Sequence, residues 1–258
     1  MENFLASTQQ VLSLAHFQLQ KAVDALFINL RNTQAAKKPN LLGNEEFFYL
    51  VVGLKKIPEK SPVNPTLLPL THSFYEEARE KGAVEICVFT KDPQKSYKEK
   101  LLKRKSIGKV IGMTKLKAKY KPFEAKRLLA SSFDFFVADD RIIHLLPPLL
   151  GKAFYDRKKI PIAINLKRFV DGDADLKAFD AEIEKIMNST VMIHSKGPCV
   201  SIKIGISSQS TSDIVDNIKC VVSALNGKIA GGFENVQSLN LKTTTSIALP
   251  VYNTIESK

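Results

Sequence analysis

Asp134-Phe-Phe-Val-Ala-Asp-Asp-Arg-Ile-Ile-His-Leu-Leu-Pro-Pro-Leu-Leu-Gly-Lys152 is the stretch on which the fold turns. Its apolar start, with Phe133 before it, reads as a strand from Phe133 to Ala138. Two acids close that run. A helical pattern follows from Arg141 to Leu150, and a second apolar run, Ile160 to Ile164, reads as another strand. Strand, helix and strand in this order are the repeating unit of a parallel sheet. Toward the N-terminus the alternation continues with a strand over Ala83 to Thr90, a helix over Pro93 to Lys105, a short strand over Val110 to Met113 and a helix over Pro122 to Ala130.

Outside this region the rhythm differs. Thr8 to Arg31 repeats apolar residues at three- and four-residue steps (Val11, Ala15, Leu19, Val23, Leu26, Leu30), which predicts a helix. Phe47 to Leu54 is an uninterrupted aromatic and aliphatic run, read as a buried strand, and an extended piece around Leu67 to Leu70 follows a Pro-rich loop. Beyond Leu166, the acidic Asp171-Gly-Asp-Ala-Asp175 opens a helix with Leu176, Phe179, Ile183 and Ile186 on one side. Val191 to His194 and Val200 to Ile206 are predicted strands. The second places Val200, Ile202, Ile204 and Ile206 inward and Ser201 and Lys203 outward. Ser210 and Asp213 form an N-terminal helix signal, Gly227 ends that helix, and Val236 to Leu249 reads as one last strand. The expectation is an α/β protein in two parts. Residues 1–70 and 162–258 form a discontinuous α+β domain, and residues 71–161 form an inserted Rossmann-like α/β domain.

Charge supports that division. The chain carries a net +12, and residues 71–161 hold 21 Lys and Arg against 11 Asp and Glu, while the remainder holds 17 against 15. The run from Lys91 to Arg127 has 14 basic and three acidic residues, so helical i, i+4 pairing cannot neutralise it. Such an excess favours a polyanionic partner, since each phosphate neutralised by a lysine releases counterions. The run lacks the Trp/Phe/Leu face of an interfacial helix, so nucleic acid is preferred to a membrane surface.

Little else in the sequence points to chemistry. Cys87, Cys199 and Cys220 are scattered and read as small buried residues. His16, His72, His144 and His194 lack metal-site spacing, so no metal and no cofactor are expected. No secretory signal and no membrane span are expected. Asp139 and Asp140 end a strand, where an α/β sheet gathers catalytic acids, or one of them caps the helix after it. No G-x-S-x-G, G-x-G-x-x-G or G-x-x-x-x-G-K-[ST] motif accompanies them, and Gly227-Lys-Ile-Ala-Gly-Gly232 follows a helix instead of opening one. A non-enzyme is expected, with a small α/β enzyme using Asp139 and Asp140 as the alternative.

The order of elements resembles the ribosomal protein L1 family, the large-subunit stalk proteins. Three segments carry the likeness: Phe47 to Leu70, the opening stretch with Lys158-Lys-Ile-Pro161, and Val200-Ser-Ile-Lys-Ile-Gly205 together with Leu241-Lys-Thr-Thr-Thr-Ser246. Two departures stand out. Gly151-Lys-Ala-Phe-Tyr-Asp-Arg-Lys-Lys159 replaces a Gly-rich turn, and Thr245 and Ser246 replace the Met-Gly of the ribosomal strand. Both resemble the eukaryotic ribosome-biogenesis branch, and the lack of long basic tails resembles its member in the small-subunit processome.

The resemblance implies a non-catalytic factor that binds pre-rRNA or rRNA among other assembly factors, nuclear and nucleolar, off the membrane and monomeric outside the particle. A structural ribosomal stalk protein is the alternative. It also implies RNA contacts on the discontinuous domain at Lys55, Lys56, Ser201, Lys203, Lys242, Thr243 and Thr244. Charge adds Lys103, Arg104 and Lys105 on the insert.

Overall fold

The computed structural model describes residues 18–33, 35, 46–58, 64–76, 84–104, 106–170, 176–194 and 197–254. It is an α/β protein that divides into two compact units. Unit one takes residues up to Ser61, Thr66–Phe74 and Ile186 onward. Unit two takes Pro62–Pro65 and Tyr75–Lys185.

In unit one, β1 (Phe47–Leu54), β8 (Cys199–Ile206), β9 (Val236–Thr243) and β10 (Leu249–Asn253) form an antiparallel sheet in the order β10-β9-β1-β8. A second, two-stranded sheet pairs β2 (Thr66–Pro69) with β7 (Ser189–Met192). One face of the larger sheet is buried. Phe48, Leu50 and Val52 of β1, Val200, Ile202 and Ile204 of β8, and Leu239 and Leu241 of β9 join one core. Helix α1, over 18–33, gives that core Leu19, Val23, Leu26 and Leu30. The stripe is the one read from the sequence, while residues 8–17 lie outside the described residues. The helix Thr211–Leu225, called α9, contributes Ile214, Ile218, Val221, Val222 and Leu225. It begins in a capping box, in which the Ser210 hydroxyl accepts from the Asp213 amide and the Asp213 carboxylate accepts from the Ser210 amide. Buried Asn217 fastens it. Its side-chain amide donates to the carbonyls of His72 (2.9 Å) and Ile204 (3.0 Å), and its oxygen accepts from the His72 amide (2.8 Å).

Unit two holds a parallel sheet in the order β4-β3-β5-β6, with β3 at Ile86–Thr90, β4 at Ile107–Gly112, β5 at Phe135–Asp139 and β6 at Ile162–Ile164. β3 and β5 are buried along their whole length, as parallel strands covered on both faces are. Helices α2 (Gln94–Leu101), α3 (Met113–Lys119), α4 (Phe123–Ser132), α5 (Leu146–Leu150) and α6 (Lys152–Tyr155) fill the connections, and α7 (Lys167–Val170) and α8 (Leu176–Met187) follow β6.

Several expectations are corrected. Phe47–Leu54 is buried on one face only, since Phe47, Tyr49 and Val51 are half-exposed. The last strand is two, because the polar Thr244-Thr-Ser246 turns the chain and the Ser246 hydroxyl accepts from the Thr243 amide (2.9 Å). Arg141–Leu150 is not one helix. A turn and a 3-10 segment at Ile143–Leu145 precede α5, whose first turn holds the prolines that lack a donor. Helix α3 lies where alternating lysines gave no helical signal. Its start is held by Asp92, which accepts from the amide (3.0 Å) and hydroxyl (2.7 Å) of Thr114. The two compact units meet at 74/75 and 185/186, whereas the change of rhythm and the charge step set the domain limits at 70/71 and 161/162. β6 pairs with β5 through Val137, Ala138 and Asp139, so its hydrogen bonds tie it to the inserted sheet. The acidic Asp171–Asp175 segment lies outside the described residues. Cys199 is exposed, Cys220 half-buried, and Cys87 buried with its thiol pushed up to about 12 by burial.

Candidate nucleic-acid interface

The sheet of unit one buries one face beneath α1 and α9, and its open face carries the candidate residues. Alternation along three neighbouring strands sets them in cross-strand rows. Lys203 of β8, Tyr49 of β1 and Lys242 of β9 form one row, and Ser201, Val51 and Asn240 form the next. All six side chains are half-exposed. The Lys203 ammonium lies 4.1 Å from the centre of the Phe47 ring, a cation–π contact. The Phe47 and Tyr49 rings are 6.5 Å apart and inclined at 59°. Burial raises the pKa of the Tyr49 phenol, and a hydrogen bond from the Thr244 side chain opposes that rise. Next to it, the Thr245 hydroxyl donates to the Glu46 carboxylate (3.1 Å).

The structure brings Ser201, Lys203, Lys242 and Thr244 together. Thr243 is the exception, because its side chain is fully buried on the inner face. An even number of residues along a strand keeps one face, so Lys242 and Thr244 share a side that Thr243 cannot. Lys55 and Lys56 are exposed but stand past the far end of β1, roughly 20 Å along the strand from Tyr49 at the usual rise per residue. The Asn235 side chain fixes the backbone there, accepting from the Lys56 amide (2.7 Å) and donating to its carbonyl (3.0 Å).

On unit two, Lys103 is exposed, whereas Arg104 is half-buried and paired with Asp180 at 3.1 Å. Lys105 lies outside the described residues. Exposed lysines of this unit include Lys95, Lys98 and Lys100 on α2, Lys117 and Lys119 on α3, and Lys121 in the turn after it. Phe47, Tyr49 and Asn240 were missed by sequence reasoning. An all-apolar strand hides its period of two, and only pairing with the alternating Val200–Ile206 strand reveals which side is open.

Asp139 and Asp140 are placed plainly. Asp139 is buried, and its carboxylate accepts from the Arg141 amide (3.2 Å), from Nε (3.1 Å) and from a terminal guanidinium nitrogen (2.5 Å), which also donates to the Tyr97 hydroxyl (2.8 Å). It closes a turn and caps no helix. Asp140 is exposed. Among the described residues no group of three His, Cys, Asp or Glu side chains is placed to hold a metal ion. None of the described helices is long and apolar enough to cross a membrane.

Comparison with known proteins places this geometry in a family, since residues 26–247 match the ribosomal protein L1p/L10e family. The chain belongs to that family. Among its curated L1 relatives, Ribosomal L1 domain-containing protein 1 of Mus musculus is 36% identical over 94% of this chain and 52% of its own length. A putative ribosome biogenesis protein of Schizosaccharomyces pombe is 31% identical over 84% of this chain and 58% of its own. Ribosome biogenesis protein UTP30 of Saccharomyces cerevisiae is 28% identical over 93% and 90%. The chain thus spans little more than half the length of the first two L1 relatives.

Proposed function

We propose that this L1-family chain is a non-catalytic RNA-binding factor of ribosome biogenesis that holds pre-rRNA on the open face of the unit-one sheet. The observation that carries this reading is the row Lys203–Tyr49–Lys242, which sets one half-exposed lysine on each side of Tyr49, within reach of a polyanion. Phosphate contacts of that kind give affinity and register. The relatives are named as ribosome biogenesis proteins, which supports an assembly setting. The setting proposed for this chain is a pre-ribosomal particle in the nucleus and nucleolus, the small-subunit processome, with other assembly factors as neighbours. No reaction is assigned, as Arg141 occupies the Asp139 carboxylate. Outside the particle the protein is a monomer.

The test is the double change Lys203→Ala with Lys242→Ala. Both side chains lie on the wet face, and the largest expected cost to folding is the cation–π contact on Phe47, about 1 kcal/mol. The expected result is a folded protein that fails to enter pre-ribosomal particles. Its log affinity for duplex RNA should depend less on log salt, by about 0.9 for each phosphate contact removed. Normal entry into those particles would show that this face does not dock. Recruitment would then rest on the lysines of α2 and α3. Co-sedimentation with mature subunits in place of precursors would favour the structural ribosomal reading.

A further inference from the structure

Charge alone leaves the centre of the open face unused. Between the two lysines stands an aromatic ring, and one row along stand a hydroxyl and an amide. Resting on the RNA-binding reading above, we infer that this face takes unpaired RNA, with one base stacked on the Tyr49 ring between Lys203 and Lys242, and that the protein prefers single-stranded to duplex segments.

Strands in a sheet lie about 4.8 Å apart, so the two lysines flank Tyr49 with their Cα atoms about 10 Å from each other. That leaves the width of a nucleotide base between two ammonium groups able to reach its phosphates. Phe47 is the second aromatic of the face, but the Lys203 ammonium lies over its ring, and its plane is inclined to that of Tyr49. Two rings so inclined offer no common flat surface, so Tyr49 is the stacking ring and Phe47 anchors Lys203. Half-burial of Tyr49 beside the Phe47 ring, 6.5 Å away, restricts its side chain before any ligand arrives. A ring already ordered loses less rotamer freedom on binding. Ser201 and Asn240 lie two residues along their strands, about 7 Å from the Tyr49 row. A hydroxyl and a carboxamide supply both donors and acceptors for the edge of a stacked base.

Duplex RNA cannot use such a platform, because its base faces are covered by their neighbours in the stack. A splayed base can. Strand propensity explains aromatic residues anywhere along β1. It does not explain why a tyrosine stands on the polar face, between two lysines.

The experiment uses the full chain and two fluorescent probes, an oligouridine strand and the same strand annealed to oligoadenosine. The wild-type chain should bind the single strand more tightly. Tyr49→Ala should weaken the single strand about tenfold, within the range of one lost base–aromatic stack, and leave the duplex unchanged. Tyr49→Phe keeps the ring and should keep the preference. Lys203→Ala with Lys242→Ala should weaken both probes. A Tyr49→Ala protein whose ratio of the two affinities is unchanged overturns the stacking site while RNA binding stands. A wild-type chain that binds neither probe removes the RNA reading and this inference with it. Should Tyr49→Ala fail to fold, photocrosslinking of 5-iodouridine RNA to the wild-type chain decides. An adduct on Tyr49 supports the site, and adducts confined to other residues overturn it.

Discussion

Thr243 and Thr244 are neighbours in the chain and face opposite sides of the sheet. Thr244 is exposed, while Thr243 is fully buried, with a hydroxyl that finds no hydrogen-bond partner among the described residues. A motif match treats the two as equivalent, whereas the pleat of a strand makes them opposites. A buried hydroxyl without a partner has lost its water and received nothing in exchange, a cost of about 1–3 kcal/mol. Thr243→Val keeps the shape and removes that hydroxyl. The expected outcome is a gain of about 1 kcal/mol in denaturant unfolding, with RNA affinity unchanged. A folded Thr243→Val protein with weakened RNA binding would return this residue to the interface. Lys203 makes the converse case. Its outward direction was legible from the alternation of Val200, Ile202, Ile204 and Ile206, and the sheet places it there. Its aromatic neighbours were not legible, since they belong to a strand distant in sequence.

Elements with a marked period were readable, and those without one were not. The α1 stripe and the capping box of α9 follow from spacing and side-chain type, and both stand as expected. The open face of β1 does not, because Phe47-Phe-Tyr-Leu-Val-Val offers no polar residue to mark it. Helix α3 is a different failure. Its lysines at every second position imitate a strand, and the carboxylate that starts it, Asp92, is 22 residues from Thr114 in sequence. The small β2·β7 sheet gives a prediction of its own. His194, just beyond β7, is half-buried, and its Nε2 lies 3.0 Å from the hydroxyl of Thr66, the first residue of β2. Burial lowers its pKa from 6.5, so folding favours the neutral imidazole. The stabilisation is complete above the unfolded-state pKa. It is lost as pH falls below 6.5 toward the lowered folded-state value, and levels off beneath that. His194→Gln cannot titrate. Urea midpoints at neutral pH and near pH 5 should fall farther for the wild-type chain than for the variant, and an equal fall in both would show that His194 does not contribute.

For the whole molecule, charge and packing set the limit of a unit at different places. Residues 75–185 hold 25 Lys and Arg against 17 Asp and Glu, a net +8, so the acids after β6 soften the step seen at 161. Hydrogen bonding and packing mark the limit better. The fourth strand of the parallel sheet, β6, begins at Ile162, and its ladder covers the edge of β5 at Val137, Ala138 and Asp139. Beyond it, Phe169 and Phe179 meet edge to face at 5.5 Å, and both are buried, as are Leu166 and Ile183. A fragment of residues 71–161 therefore lacks a strand and these four buried side chains, and it bares the edge of β5 to water or to another chain. Fully burying one large apolar side chain is worth about 1.5–3 kcal/mol, so this loss is comparable to the entire stability of a small domain. The expected outcome is that residues 75–185 unfold in one cooperative thermal transition, while residues 71–161 melt broadly at lower temperature and associate as concentration rises. Calorimetry of the two fragments side by side makes the comparison. A fragment of 71–161 that melts as sharply and at the same temperature would mean that the ladder between β5 and β6 adds nothing to the inserted sheet, and that the charge step marks the true limit of the unit.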